Sequence, residues 1–136
     1  MTTFTNAQFR SIMYGLGYVG KQFADPALGY PVSNDNTPLI EEAMIQGIVR
    51  FQQDYQLKAD GVVGAKTMAK AAEVMRILQH GLNIVIKAGL PQGQPFYGPK
   101  TLAAVKKFQS YLGVSQSGIA TKALRRQLDE LAKEKV

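Results

Sequence analysis

Few side chains in this sequence could carry out a reaction, and their spacing supplies no partners for one. His80 is the only histidine and there is no cysteine, so thiolate metal sites, histidine-rich centres and disulfide frameworks are excluded by count. Asp60 precedes Gly61 without a second carboxylate at the spacing that glycoside hydrolysis needs, which makes the pair a turn before it is a site. Neither a Gly-x-Ser-x-Gly elbow, a complete Gly-x-x-x-x-Gly-Lys-Ser/Thr phosphate loop nor a His-Glu-x-x-His pair occurs. No catalysis, metal or cofactor is expected. Binding chemistry is better represented. Tyr97, Lys100, Lys107 and Tyr111 fall within one short stretch, and Arg50 stands upstream at the position that matches Lys107. Tyrosines stacked on sugar rings beside lysines facing carboxylates would suit a glycopeptide; the same residues would also make an ordinary solvated face with one half-buried aromatic.

The elements that must position these residues are helical. Thr5-Asn6-Ala7-Gln8 has the pattern of a capping box, and Phe9, Ile12, Met13 and Leu16 follow as a narrow apolar stripe that Gly17 ends. Residues 18–36 are rich in Gly, Pro, Asp, Asn and Ser and are expected to form a long loop held down by Phe23, Leu28 and Tyr30. Thr37-Pro38 predicts the next helix start, with Ile40, Met44, Gly47, Ile48, Phe51 and Tyr55 on its inner face. Gly47 in that face predicts the close approach of another backbone. A turn-rich bridge over 57–64 leads into a pattern from Ala65 to Leu82 that reads as two helices fused or lightly kinked. A second loop covers 89–95. Gly98-Pro99 then caps and opens a helix with Leu102, Val105, Phe108 and Leu112 on its buried face, and a last helix from Thr121 carries Ala123, Leu124, Leu128 and Leu131.

The chain repeats itself. Arg76 to Leu82 can be laid on Arg10 to Leu16 at an offset of 66, whereas Phe51-Gln52, Leu57 and Gly61 lie 57 residues before Phe108-Gln109, Val114 and Gly118. The drop from 66 to 57 places a nine-residue deletion early in the second copy. Pairing Pro38 with Pro99 implies that this copy has lost about one helical turn as well as loop length. The repeated Phe-Gln is expected to be structural, its phenylalanine in the core and its amide bonded to bridge backbone. Tyr14 is matched by His80.

Charge divides with the copies. Residues 1–66 hold five Lys+Arg against six Asp+Glu, net −1, and residues 67–136 hold eleven against four, net +7. A basic half can meet anionic polymers such as nucleic acid or cell-wall teichoic acid, and it can equally be a solvated lysine surface. No nucleic-acid-binding motif accompanies the charge, so nucleic acid is not expected as a partner. Neither a charged leader nor a long apolar run is visible, so the chain as written is expected to be cytoplasmic and not inserted in a membrane.

These motifs resemble the small three-helix peptidoglycan-binding domain found attached to bacterial and phage wall hydrolases. Gly98-Pro99-Lys100-Thr101 and Phe108-Gln109 match that family's helix start and close; Phe51-Gln52, Leu57, Asp60-Gly61, Gly64 and Thr67 match its Phe-Gln, its bridge and its last helix. Two departures stand out. Thr37-Pro38-Leu39-Ile40 occupies the place of Gly-Pro-x-Thr in the first copy, and Ser117-Gly118 replaces Asp-Gly in the second. The resemblance implies an all-α protein of two tandem three-helix units packed together, 1–72 with the long loop and 73–136 shorter and basic. It further implies a noncatalytic peptidoglycan-binding module, bacterial or phage-associated, acting in a virion or at the cell wall after phage-mediated delivery. The alternative is a structural or interaction protein, a virion component or a subunit of a cytosolic assembly, that keeps the fold without wall binding. Candidate ligand contacts are Tyr97, Lys100, Lys107, Tyr111 and Arg50.

Overall fold

The computed structural model describes residues 4–20, 32–91 and 93–135, and within them the backbone forms five α-helices and no strand. They are α1 (Asn6–Gly15), α2 (Glu42–Asp54), α3 (Ala65–Ile86), α4 (Pro99–Leu112) and α5 (Lys122–Glu134). The expected residues Phe23, Leu28 and Tyr30 lie outside the described ones.

Helix α1 opens on the predicted capping box: Gln8 N–H donates to Thr5 Oγ1 at 3.1 Å and Thr5 N–H to Gln8 Oε1 at 2.9 Å. Its stripe of Phe9, Ile12, Met13 and Leu16 is buried, but so are Arg10, Ser11, Tyr14 and Gly15. The expectation of a narrow stripe is therefore corrected: other elements enclose α1 nearly all round, as a helix at the centre of a core requires.

One side of that enclosure is the segment 32–41, which α1 organises through its polar residues. The Arg10 guanidinium is fully buried and donates to the carbonyls of Asp35 (2.9 Å), Thr37 (2.6 Å) and Pro38 (2.8 Å) and to Glu41 Oε1 (2.5 Å). Ser33 N–H donates to Ser11 Oγ at 2.8 Å, and Ala7 N–H to Asn36 Oδ1 at 3.0 Å. These bonds hold 35–38 in a non-helical course. Helix α2 consequently begins at Glu42, not at Thr37-Pro38, and Ile40, expected on its inner face, is 74% exposed. Glu42 stands nine residues before Phe51, as Pro99 does before Phe108. The register of 57 thus holds through both helix starts and pairs Pro38 with Pro95, so no helical turn has been lost; the whole nine-residue difference lies ahead of them.

Beyond Glu42 the inner face is as expected, with Met44, Ile48 and Phe51 buried. A Cβ on Gly47 would come within 2.7 Å of the Tyr18 carbonyl, the predicted close approach of backbone. Helix α3 is a single continuous helix of 22 residues, about 33 Å long. It packs on both α4 and α5 and belongs to both copies. Helix α4 begins on Gly98 and Pro99 as predicted, α5 is capped by Thr121, and both bury their expected leucines except for half-buried Leu112 and Leu131; Ala123 lies outside the buried face.

The two units share one core through the end of α1. Ala120 N–H donates to the Gly15 carbonyl at 2.7 Å, and the buried Arg125 donates to the Leu16 carbonyl at 3.1 Å while also reaching the Tyr18 and Tyr55 hydroxyls. The Tyr97 ring lies flat against Gly15, where any Cβ would collide with it. Gly15→Ala is expected to destabilise the protein by about 1–3 kcal/mol through overpacking, despite alanine's better helix propensity. Gly93→Ala, with nothing near the added carbon, should be close to neutral. Urea unfolding of the two variants checks the contrast.

Candidate ligand-binding surface

The repeated Phe-Gln pairs build the same clasp twice. Phe51 and Phe108 are fully buried, and the amides beside them reach into the bridges. Gln52 Oε1 accepts from Gly61 N–H at 3.0 Å while its Nε2 donates to Val62 C=O, Asp60 Oδ1 and Thr67 Oγ1. Gln109 Oε1 accepts from Gly118 N–H at 2.9 Å while its Nε2 donates to Ser117 Oγ and Ile119 C=O. Gly61 and Gly118 both take positive φ, 72° and 77°. Asp60 and Ser117 each accept from the N–H two residues on, so serine preserves the corner that its replacement of aspartate seemed to erode. The Val62 N–H bond holds the Asp60 carboxyl below its ordinary pKa, with smaller help from Gln52. Asp60 is therefore a corner, and the clasp is architecture.

The candidate contacts separate on inspection. Tyr97 is corrected from an outward contact to a core residue: it is 1% exposed, its O–H donates to the Gly118 carbonyl at 2.5 Å, and burial pushes its pKa up. The glycine at position 15 makes room for its ring, a long-range reason that local spacing could not reveal. Arg50 is pinned, its guanidinium donating to the Tyr18 carbonyl. Lys100, Lys107 and Tyr111 do share one exposed face of α4, with Lys100 and Lys107 two turns apart, about 10 Å, and Tyr111 one turn further on. Tyr111 is 56% exposed and stacks on Phe108 at 6.2 Å between ring centres. His80 is exposed, whereas its counterpart Tyr14 is buried.

Lys100 and Lys107 line a cleft of about 280 Å³ between α4 and the end of α3, closed on the other side by Lys87 and floored by Leu90 and Ala104. No carboxylate lines it. Lys87 was not anticipated, because its place depends on where α3 stops; the chain turns there through a left-handed Lys87, φ 53°. Asn83 fixes the floor, accepting from Leu90 N–H at 2.7 Å and donating to its carbonyl at 3.0 Å. A second groove of about 340 Å³ adjoins the first at Leu90 and Lys100 and continues past Phe96 and Pro99 to Gln79. The buried Gln79 spends its Nε2 on the carbonyls of Gln94 and Phe96, and its Oε1 has no partner among the described residues.

Other chemistry is not assembled. Among the described residues no three His, Cys, Asp or Glu side chains converge as metal ligands. Gly15 to Lys21 has the glycine and lysine spacing of a phosphate loop, but Gln22 stands in place of the hydroxyl residue.

Comparison with known families places the chain. The peptidoglycan binding domain matches it twice, over residues 27–70 and 73–128, together most of its length. Among curated proteins and among solved structures nothing matches.

Two outcomes test the clasp. Gln52→Ala should cost roughly 2–4 kcal/mol in denaturant unfolding, because it strands the Gly61 N–H and the Thr67 hydroxyl in the interior. Since the folded Asp60 pKa is depressed, its contribution is present above the ordinary aspartate range and is lost as pH falls through the folded value, below about 4. Asp60→Ser should keep the fold and lose less stability than the parent between pH 7 and pH 3.

Proposed function

The chain belongs to the peptidoglycan-binding domain family, and we propose that it is a noncatalytic cell-wall binding module whose contact surface is the paired cleft at the start of α4. In this reading 1–72 and 73–136 are two units joined through α3, and the second does the binding. The observation that carries it is the set of three lysines, 87, 100 and 107, around an apolar floor with no carboxylate among the lining residues. A cation row favours carboxylates. A peptide stem hung on a sugar strand offers them, and Tyr111 at the end of the row offers a ring face to the sugar. The first unit has Ala43 at the position of Lys100 and a pinned Arg50 at that of Lys107, so it lacks the row. Delivery by a phage particle or lysis system would bring such a module to the wall.

A second reading, a structural or interaction protein, is favoured by a different observation: Ile40 and Val62 of the first unit are 74% and 65% exposed beside one another's cleft. Pull-down with purified sacculi separates the two. Wall binding predicts retention at moderate salt, weakened about tenfold by each of Lys100→Ala and Lys107→Ala and unaffected by Lys58→Ala on the first bridge. A protein that is not retained at all sinks the proposal.

A further inference from the structure

Between the end of α2, the middle of α3 and the start of α5 lies a cleft of about 300 Å³ that the wall-binding reading does not use. Ligand clefts begin at about this size. Val74, Ile77, Leu78 and Leu128 give it apolar walls, and Ile77 is 49% exposed. The charged lining sets four cations, Lys70, Lys122, Arg125 and Arg126, against two carboxylates, Glu73 and Asp129.

The excess of positive charge centres on Arg125. That side chain is buried, and among the described residues no carboxylate lies within 4 Å of it. Its Nη1 is spent on the carbonyls of Leu16 and Ala120. Its Nη2 has only the Tyr18 and Tyr55 hydroxyls, at 3.5 Å and 3.4 Å, beyond the usual length of a hydrogen bond. A charge taken out of water at such a cost is ordinarily paired. Tyr18 O–H donates onward to Asp54 Oδ2 at 2.6 Å. Tyr55, which lines the cleft together with Arg125, gives its proton to no acceptor among the described residues. An anionic oxygen in the cleft would serve both groups. Nearer solvent, Lys70 is paired with Glu73 at 3.0 Å and Lys122 with Asp54 at 3.3 Å, while the exposed Arg126 and Asp129 have no ion-pair partner among the described residues.

The repeat shows that this lining is not demanded by the architecture. At the register of 57, Ala65, Met68, Ala69 and Ala72 of the first unit match Lys122, Arg125, Arg126 and Asp129; at the offset of 66, Ala7 and Ser11 match Glu73 and Ile77. None of these six positions carries a charge in the first unit. A unit folds without them, so the ionic lining belongs to the surface of the second.

We propose that this cleft binds an aliphatic carboxylate, its charged end toward Arg125 and the Tyr55 hydroxyl and its alkyl body against Val74, Ile77 and Leu128. The two carboxylates among the lining residues oppose a dianion such as phosphate, and the apolar walls call for a body that an inorganic anion lacks. A free small acid and the end of a peptide chain share this chemistry. The proposal is independent of wall binding, since none of lysines 87, 100 and 107 lines this cleft.

Titration of the isotopically labelled protein with isovalerate, read through amide shifts in NMR spectra, tests it. Saturable shifts are expected around Tyr55, Ile77 and Arg126, with a dissociation constant on the order of 1 mM, as a ligand of so few atoms allows. Isoamyl alcohol, which keeps the body without the charge, and acetate, which keeps the charge without the body, should each bind roughly tenfold more weakly. Ile77→Asp should weaken isovalerate binding at least tenfold while leaving the circular dichroism spectrum and sacculus retention as in the parent. A blocked dipeptide ending in leucine separates the two sources: binding tighter than that of isovalerate assigns the cleft to a chain end, and weaker binding assigns it to a free acid. The absence of saturable shifts at this cleft overturns the proposal, and so do equal binding of acetate or isoamyl alcohol and shifts confined to the lysine cleft.

Discussion

A helix that ends inside a protein must find donors for its last carbonyls, and α1 finds them in the other unit. Gly15 takes the Ala120 N–H and Leu16 takes the Arg125 guanidinium, which then reaches on to Tyr18 and Tyr55. Unpaired, each carbonyl would cost on the order of 1–3 kcal/mol at this depth. The side-by-side arrangement follows from that need. So does the glycine at position 15, since only a residue without a Cβ admits the Tyr97 ring whose hydroxyl closes the second bridge at Gly118.

Around that junction the copies have diverged in what they spend polar side chains on. The first uses Arg10, Ser11 and Arg50 to hold its own backbone, and its cations are consequently committed. The second has Arg76, Ile77 and Lys107 at those positions. In the second copy the carbonyls of the matching segment, those of Gln94 and Phe96, are served by Gln79 and not by an arginine. Ligand contact and loop fixation are alternative uses of the same helix faces.

Local rules made much of this legible in the sequence. The capping box at Thr5, the Gly98-Pro99 start and the Phe-Gln clasps all depend on residues within about ten positions of one another, and they stand as expected. The errors share a cause of the opposite kind. Thr37-Pro38 has the local form of a helix start, but Arg10, 27 residues away, engages its carbonyls. Tyr97 looks like a surface aromatic until Gly15 is placed under it. Lys87 joins the cleft only because α3 stops where it does. Each depends on a contact across the fold that no local spacing encodes.

The bond between Arg125 and Leu16 spans 109 residues. On a ribosome, α1 therefore emerges long before the side chain that satisfies its end, and the first unit cannot reach its final packing until nearly the whole chain has been made. Contacts so distant in sequence also slow folding, because the loop must close before the contact repays it. Although the chain reads as two modules in series, it matures as one: excising either module would leave the other with a raw edge instead of a domain.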